Sequence, residues 1–178
     1  MHGRIYELAL EPDECGCMTE DDFNDDVMFV GPIADYVAMV DDVEQEIEDF
    51  AKIYEKIFKV ENSGLTDNNE MPIYKVTIVD KAEFFKHRFQ KFYEKACQLA
   101  KMTTDQDKLF EHFMDNDFSD DPDATLSVLL SELNTAFDNE LDAYTCADGM
   151  FTCTISTFLR DHSNGDEFYI SNVFDYHV

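Results

Sequence analysis

The chain contains no tryptophan and only six glycines and four prolines in 178 residues. So few glycines leave no Gly-rich loop of the kind that cradles phosphates with backbone N–H groups, and neither nucleotide-binding glycine pattern occurs. Bases are scarce too: 13 Lys and Arg stand against 40 Asp and Glu, a net charge of −27. That field opposes direct binding of DNA, RNA or an anionic membrane. No apolar run approaches the ~20 residues of a membrane span. Residues 1–10 (MHGRIYELAL) also lack the long apolar stretch of a secretory leader. The five cysteines, Cys15, Cys17, Cys97, Cys146 and Cys153, are odd in number and include no CxxC pair. Reduced thiols and a cytoplasmic location are the expectation.

Aromatic residues are abundant, with 16 Phe and 8 Tyr in a chain that is 44% apolar. A disordered acidic tail is poor in such residues, so the composition points to a folded protein, and the length to a single domain over residues 1–178. The charge is unevenly laid out. Residues 1–51 hold 16 acids and one base (Arg4), and residues 109–178 hold 15 acids and one base (Arg160). Between them, residues 52–108 carry 9 acids and 11 bases. Two acid blocks therefore flank a near-neutral middle. Such blocks attract basic protein surfaces with fast, salt-sensitive association.

Taken in order, Arg4 to Leu10 alternates apolar residues and reads as a first strand. Glu11 to Asp26 reads as a loop with eight acids and no base. Val27 to Val30 is either a short strand or a lead into Gly31-Pro32 and a helix. Ile33 to Val60 reads as one long amphipathic helix, with Ile33, Tyr36, Val40, Val43, Ile47, Phe50, Tyr54 and Phe58 at steps of three or four. Glu61 to Met71 is expected to be a polar loop and Pro72 to Val79 a strand. Asp80 with Glu83 fits a capping box for a helix from Lys81 to about Met102. That helix has an apolar face (Phe84, Phe85, Phe89, Phe92, Tyr93, Ala96, Ala100) and a basic one (Lys81, Lys86, Arg88, Lys91, Lys95, Lys101). A shorter helix is expected from Thr104 to about Met114, and another after Asp121-Pro122 through Leu141. Met150 to Leu159 reads as a strand, Ser163-Asn164-Gly165-Asp166 as a hairpin turn, and Phe168 to Phe174 as the returning strand. The expected class is α+β: an antiparallel sheet including a C-terminal hairpin, packed against three or four helices.

Motifs for chemistry are weak by comparison. Cys15-Gly16-Cys17 is a candidate pair of metal ligands, but no second pair has zinc spacing, and ordinary reduced thiols explain it better. Asp115, Asp117, Ser119 and Asp121 begin like a calcium loop; Asp120 then replaces the glycine and Leu126 the closing glutamate. The histidines (His2, His87, His112, His162, His177) are scattered, with no nucleophile and base in a recognisable motif. Paired carboxylates carry no information in so acidic a chain. We therefore expect no enzyme, no cofactor and no resident metal. The basic helix face is best read as a partner for the chain's own acids.

The acids themselves are the remaining signal. Asp35, Asp41, Asp42, Glu44, Glu46, Glu48 and Asp49 are seven carboxylates with no base among them. On one helix they would span roughly 21 Å, about one charge per 3 Å, close to the ~3.4 Å spacing along one DNA strand. Asp42, Glu46, Asp49 and Asp35 line one border of the apolar stripe, and Asp41, Glu44 and Glu48 the other. The loops add Asp21, Asp22, Asp25 and Asp26, and a second acidic segment adds Asp115, Asp117, Asp120, Asp121 and Asp123. In charge, size and aromatic-rich character the chain resembles the acidic nucleic-acid mimics of phages and mobile elements, the antirestriction and anti-CRISPR proteins. That resemblance is compositional and transfers no motif. It implies a cytoplasmic inhibitor in a bacterial host that fills the basic groove of a nucleic-acid-binding enzyme, such as a CRISPR effector or restriction enzyme. An immunity protein against a nuclease toxin uses the same electrostatics, and a small metal-binding protein or enzyme is the further alternative.

Overall fold

A computed structural model describes residues 2–24, 30, 31, 34–103, 107, 133, 144–147 and 151–177. The chain divides into two compact units, residues 1–83 with 141–178, and residues 84–140. The class is α+β. Among the described residues the strands are β1 (His2–Glu7), β2 (Tyr36–Met39), β3 (Phe58–Thr66), β4 (Pro72–Ile78), β5 (Tyr144–Ala147), β6 (Phe151–Thr154), β7 (Glu167–Ile170) and β8 (Val173–His177). The helices are α1 (Glu20–Asn24), α2 (Val43–Ile53), α3 (Lys81–Thr103) and α4 (Ile155–Asp161), with a 3₁₀ turn at Pro12–Glu14.

The strands form two sheets. A five-stranded one runs β2-β8-β1-β5-β6, antiparallel except for the parallel pair β1–β5, and a three-stranded antiparallel one runs β3-β4-β7. A reciprocal backbone bridge between Ala9 and Tyr169, 2.8 Å each way, joins the end of β1 to β7. The core of the first unit clusters Ile5, Phe23, Val37, Phe174 and Tyr176, with Ala9, Cys15 and Ile73 in a second cluster. Tyr6, Phe50 and Phe58 extend the packing, with ring centroids 4.6 and 5.2 Å from Phe50.

The expected helix over 33–60 is not one helix. Its start is strand β2, its middle is α2 and its end is strand β3. Asp42 explains the late start, since its side chain accepts the Gln45 N–H at 3.0 Å and caps α2 from inside the supposed helix. Upstream, Val37 is buried and Tyr36 is 47% exposed, the alternation of a strand paired to β8. Downstream, the chain turns at Tyr54 and joins β4, so long-range pairing overrides the local periodicity. Strand β3 also takes in Glu61–Thr66, most of the expected polar loop, leaving only residues 67–71 as the connection.

The C-terminal reading needs a similar correction. Only Phe151–Thr154 is strand; Ile155–Asp161 is helix α4. Thr154 Oγ1 accepts the Thr157 N–H at 3.3 Å as an N-cap, and Ile155, Phe158 and Leu159 are buried at helical spacing. The Ser163–Asp166 turn therefore links α4 to β7 rather than two paired strands. Phe168–Phe174 is two strands in different sheets, broken at Ser171-Asn172. The hairpin of this region is β5–β6. Elsewhere β4 and α3 fall where expected, β1 is His2–Glu7 against the expected Arg4–Leu10, and Asp80 Oδ1 accepts the Ala82 and Glu83 N–H groups at 3.1 and 3.3 Å. The expected acidic loop at 11–26 instead carries the 3₁₀ turn and α1. Within the second unit, Phe84 is buried beneath the Arg88 guanidinium, whereas Phe89 and Tyr93 are each 60% exposed. The expectations for Val27–Phe29 and, apart from the helical residues 107 and 133, for helices over 104–114 and 122–141 lie outside the described residues.

Candidate functional site: an acidic face of the first unit

Arg4 is the cation around which the acids of the first unit gather. Strand β1 sets it opposite Asp175 of β8, and its Nη1 donates to Asp175 Oδ1. Its Nη2 donates to Glu46 Oε1 of α2 at 2.7 Å. The hydrogen bond to Glu46, then the charges of Glu46 and Asp175, hold the guanidinium's pKa above its ordinary value against the cost of burial. The only base of residues 1–51 thus has both terminal nitrogens on carboxylates of its own chain. Beside it lies an open cleft of about 410 Å³ lined by Arg4, Tyr36, Met39, Asp41, Asp42 and Glu46 among others. Tyr36 and Met39 are 47% and 41% exposed, and Tyr36 stacks on His177 at 5.4 Å between centroids. Helix α1 reaches the outer edge of β2, where Glu20 Oε1 accepts the Met39 N–H at 2.7 Å.

The predicted acids distribute as follows. Asp41, Asp42 and Glu46 meet at the cleft. Asp21 and Asp22 are exposed on α1, with Asp22 accepting the Thr19 N–H and hydroxyl. Asp35 is exposed and 3.4 Å from His177 Nδ1. Glu44 and Glu48 are exposed on α2, and their charges, after burial, raise the pKa of Tyr74 on β4. Asp49 accepts from Lys52 at 3.0 Å and from Gln45 at 3.1 Å, and Lys52 also lies 3.8 Å from Glu48. Over α2 the two expected stripes survive, but Arg4 and Lys52 neutralise most of the Glu46–Asp49 side. The continuous 21 Å row is replaced by shorter rows on separate elements. Asp25, Asp26, Asp115, Asp117, Asp120, Asp121 and Asp123 lie outside the described residues. Sequence reasoning missed Arg4, Asp175, Tyr36 and Met39 as parts of this face; Arg4's isolation among 16 acids was the one available signal.

A second group of titratable residues is interior. Glu7 is 4% exposed, and its Oε1 accepts the N–H groups of Cys17 and Met18 at 3.2 and 3.3 Å. Burial pushes its carboxyl up to about 7, opposed by those donors. The buried thiol of Cys15 is pushed up to about 12 by desolvation and by the nearby Glu7, while Cys17 is exposed. Among the described residues no group of three or more His, Cys, Asp or Glu is arranged to hold a metal ion, and no helix is long and apolar enough to cross a membrane. No family model, curated protein or solved structure matches the chain.

Proposed function

We propose that this protein is an acidic nucleic-acid mimic: it occupies the basic groove of a nucleic-acid-binding defence enzyme and keeps the nucleic acid out. The observation that carries this reading is the depletion of cations on the acidic face. Arg4 is spent on Glu46 and Asp175, Lys52 serves Asp49 and Glu48, and Asp21, Asp41 and Glu44 are exposed with no partner cation among the described residues. A groove lined with Lys and Arg would supply the missing positive charge through charge-assisted hydrogen bonds. The exposed Tyr36 and Met39 beside Asp41 and Asp42 favour a protein partner over a small cation, because aromatic and Met side chains anchor protein interfaces. On this reading the protein performs no reaction and needs no cofactor.

The test is a low-salt pull-down from bacterial lysate, eluted by rising salt and by added DNA or RNA. The expected eluate is a nucleic-acid-binding enzyme displaced by both. The combined variant Asp21→Asn/Asp41→Asn/Glu44→Gln/Glu48→Gln should lose at least about tenfold in affinity, since each charged contact is worth on the order of 1 kcal/mol or more. A control, Glu55→Gln/Glu70→Gln, removes two charges from the near-neutral middle and should bind as the parent does. Retention that ignores ionic strength, or equal losses in both variants, would overturn the reading.

A further inference from the structure

Strand β3, in the near-neutral middle of the chain, is an edge of the three-stranded sheet, with no strand on its outer side among the described residues. Antiparallel pairing directs each residue's N–H and C=O to one side and the next residue's to the other. Ile57 C=O accepts the Val79 N–H at 2.8 Å, so Lys59 and Glu61 bond inward to β4 opposite Thr77 and Lys75. The other side of β4 agrees, because Ile78 N–H donates to Asp166 on the β7 side at 3.0 Å. By alternation, the N–H and C=O groups of Val60 and Asn62 and the C=O of Phe58 face away from the sheet, while the Phe58 N–H donates to Tyr54 C=O at 2.8 Å. Regular pairing stops at both ends of this segment: Tyr54–Ile57 is a turn, and the register shifts between Asn62 and Leu65. A five-residue edge centred on Val60 remains.

We infer that this edge pairs with the same edge of a second copy of the chain, about a two-fold axis through Val60. Antiparallel pairing on that axis sets Phe58 opposite the partner's Asn62 and Val60 opposite the partner's Val60. The outward N–H groups of Val60 and Asn62 then meet the partner's outward C=O groups of Val60 and Phe58, making four interchain hydrogen bonds, while the Phe58 N–H stays with Tyr54. Lys59 falls opposite the partner's Glu61, and Glu61 opposite the partner's Lys59, in the close non-hydrogen-bonded pairs where opposite charges attract. Both side chains are exposed and now share an ion pair within one strand at 2.8 Å. Lys75 and Glu167 continue the same balanced face, 2.6 Å apart. With two copies each at −27, this balanced strip permits the approach that the acid blocks oppose. The hydrogen-bond direction and the charge pattern select the same register independently.

Sedimentation equilibrium of the full chain tests the proposal. A mass moving from 20.6 kDa toward twice that value with concentration is expected, and association should strengthen with salt as the overall repulsion is screened. Partner binding through the acidic face weakens with salt, so the two readings fail separately. Val60→Pro removes only an outward N–H, so the sheet keeps its bonds and the dimer is lost. Lys59→Glu should weaken association about tenfold by placing like charges opposite each other. The double variant Lys59→Glu/Glu61→Lys should restore it, because each Glu again faces a Lys. A monomer at every concentration and salt would overturn the proposal and leave the edge to an extended segment of another protein. A dimer indifferent to Val60→Pro, or charge variants without rescue, would overturn it equally.

Discussion

Glu7 shows how one side chain ties folding to pH. Its carboxylate holds the backbone of Cys17 and Met18 in place, yet burial keeps the carboxyl protonated up to about 7, against 4.5 for an ordinary glutamate. Between those values the folded chain binds a proton that the unfolded chain has released. Glu7's contribution to stability is therefore complete below about 4.5, falls as pH rises, and is lost above about 7. The full swing is on the order of 3 kcal/mol. Glu7→Gln keeps an acceptor for the two N–H groups and removes the ionisation. Urea unfolding should show the variant's advantage growing from pH 4.5 to 8; an advantage flat with pH would refute it. At Gly3 the constraint is steric. A Cβ there would run into the Tyr176 ring, which lies across from it in the β1–β8 ladder. Gly3→Ala should cost about 1–3 kcal/mol by overpacking, read as a lower urea midpoint. An unchanged midpoint would mean that the ring moves aside freely.

At the scale of elements, α2 shows why charge and fold must be separated before a mutation is interpreted. Asp42 is both a cap and one of the cleft's acids. Asp42→Ala should lower stability by about 1 kcal/mol, whereas Asp42→Asn keeps the capping oxygen and should cost only a few tenths. Under the mimic reading both variants weaken partner binding, because both lose the charge. If Asn bound as well as the parent while Ala did not, Asp42 would act through the helix alone. Helix α2 was partly legible from Val43, Ile47 and Phe50, which are buried as the periodicity implies. Its flanks were not. Tyr36 and Phe58 continue the helical spacing by coincidence, and only pairing with β8 and β4 makes them strand residues. Thr154 likewise ends a strand and opens α4 within one apolar run, and the broken alternation at Phe158 was its trace in the sequence.

Over the whole molecule, −27 charges repel one another and salt acts on every property at once. Raising NaCl from roughly 0.01 M to roughly 1 M shortens the Debye length from about 30 Å to about 3 Å. The melting temperature should then rise by about a few degrees, as each kcal/mol of relieved repulsion is worth ~2–4 °C at this size. Thermal melts followed by circular dichroism check this, and a fall would mean that the internal ion pairs outweigh the repulsion. Partner binding through the acidic face should decline over the same range, and β3 self-association should grow.

Composition and local sequence pattern determined that this chain folds, that its class is α+β, and that its charge is divided into acid blocks about a neutral middle. Those properties are sums over residues or follow from local patterns, so they can be read without knowing what touches what. Tertiary structure decided which carboxylates share a surface and which are neutralised. Arg4 meets Glu46 and Asp175, residues 42 and 171 positions away in the chain, and no local pattern encodes such a pairing. The same long-range pairing turned the ends of the expected helix into strands, because a residue's backbone bonds go to whichever neighbour the fold brings to it.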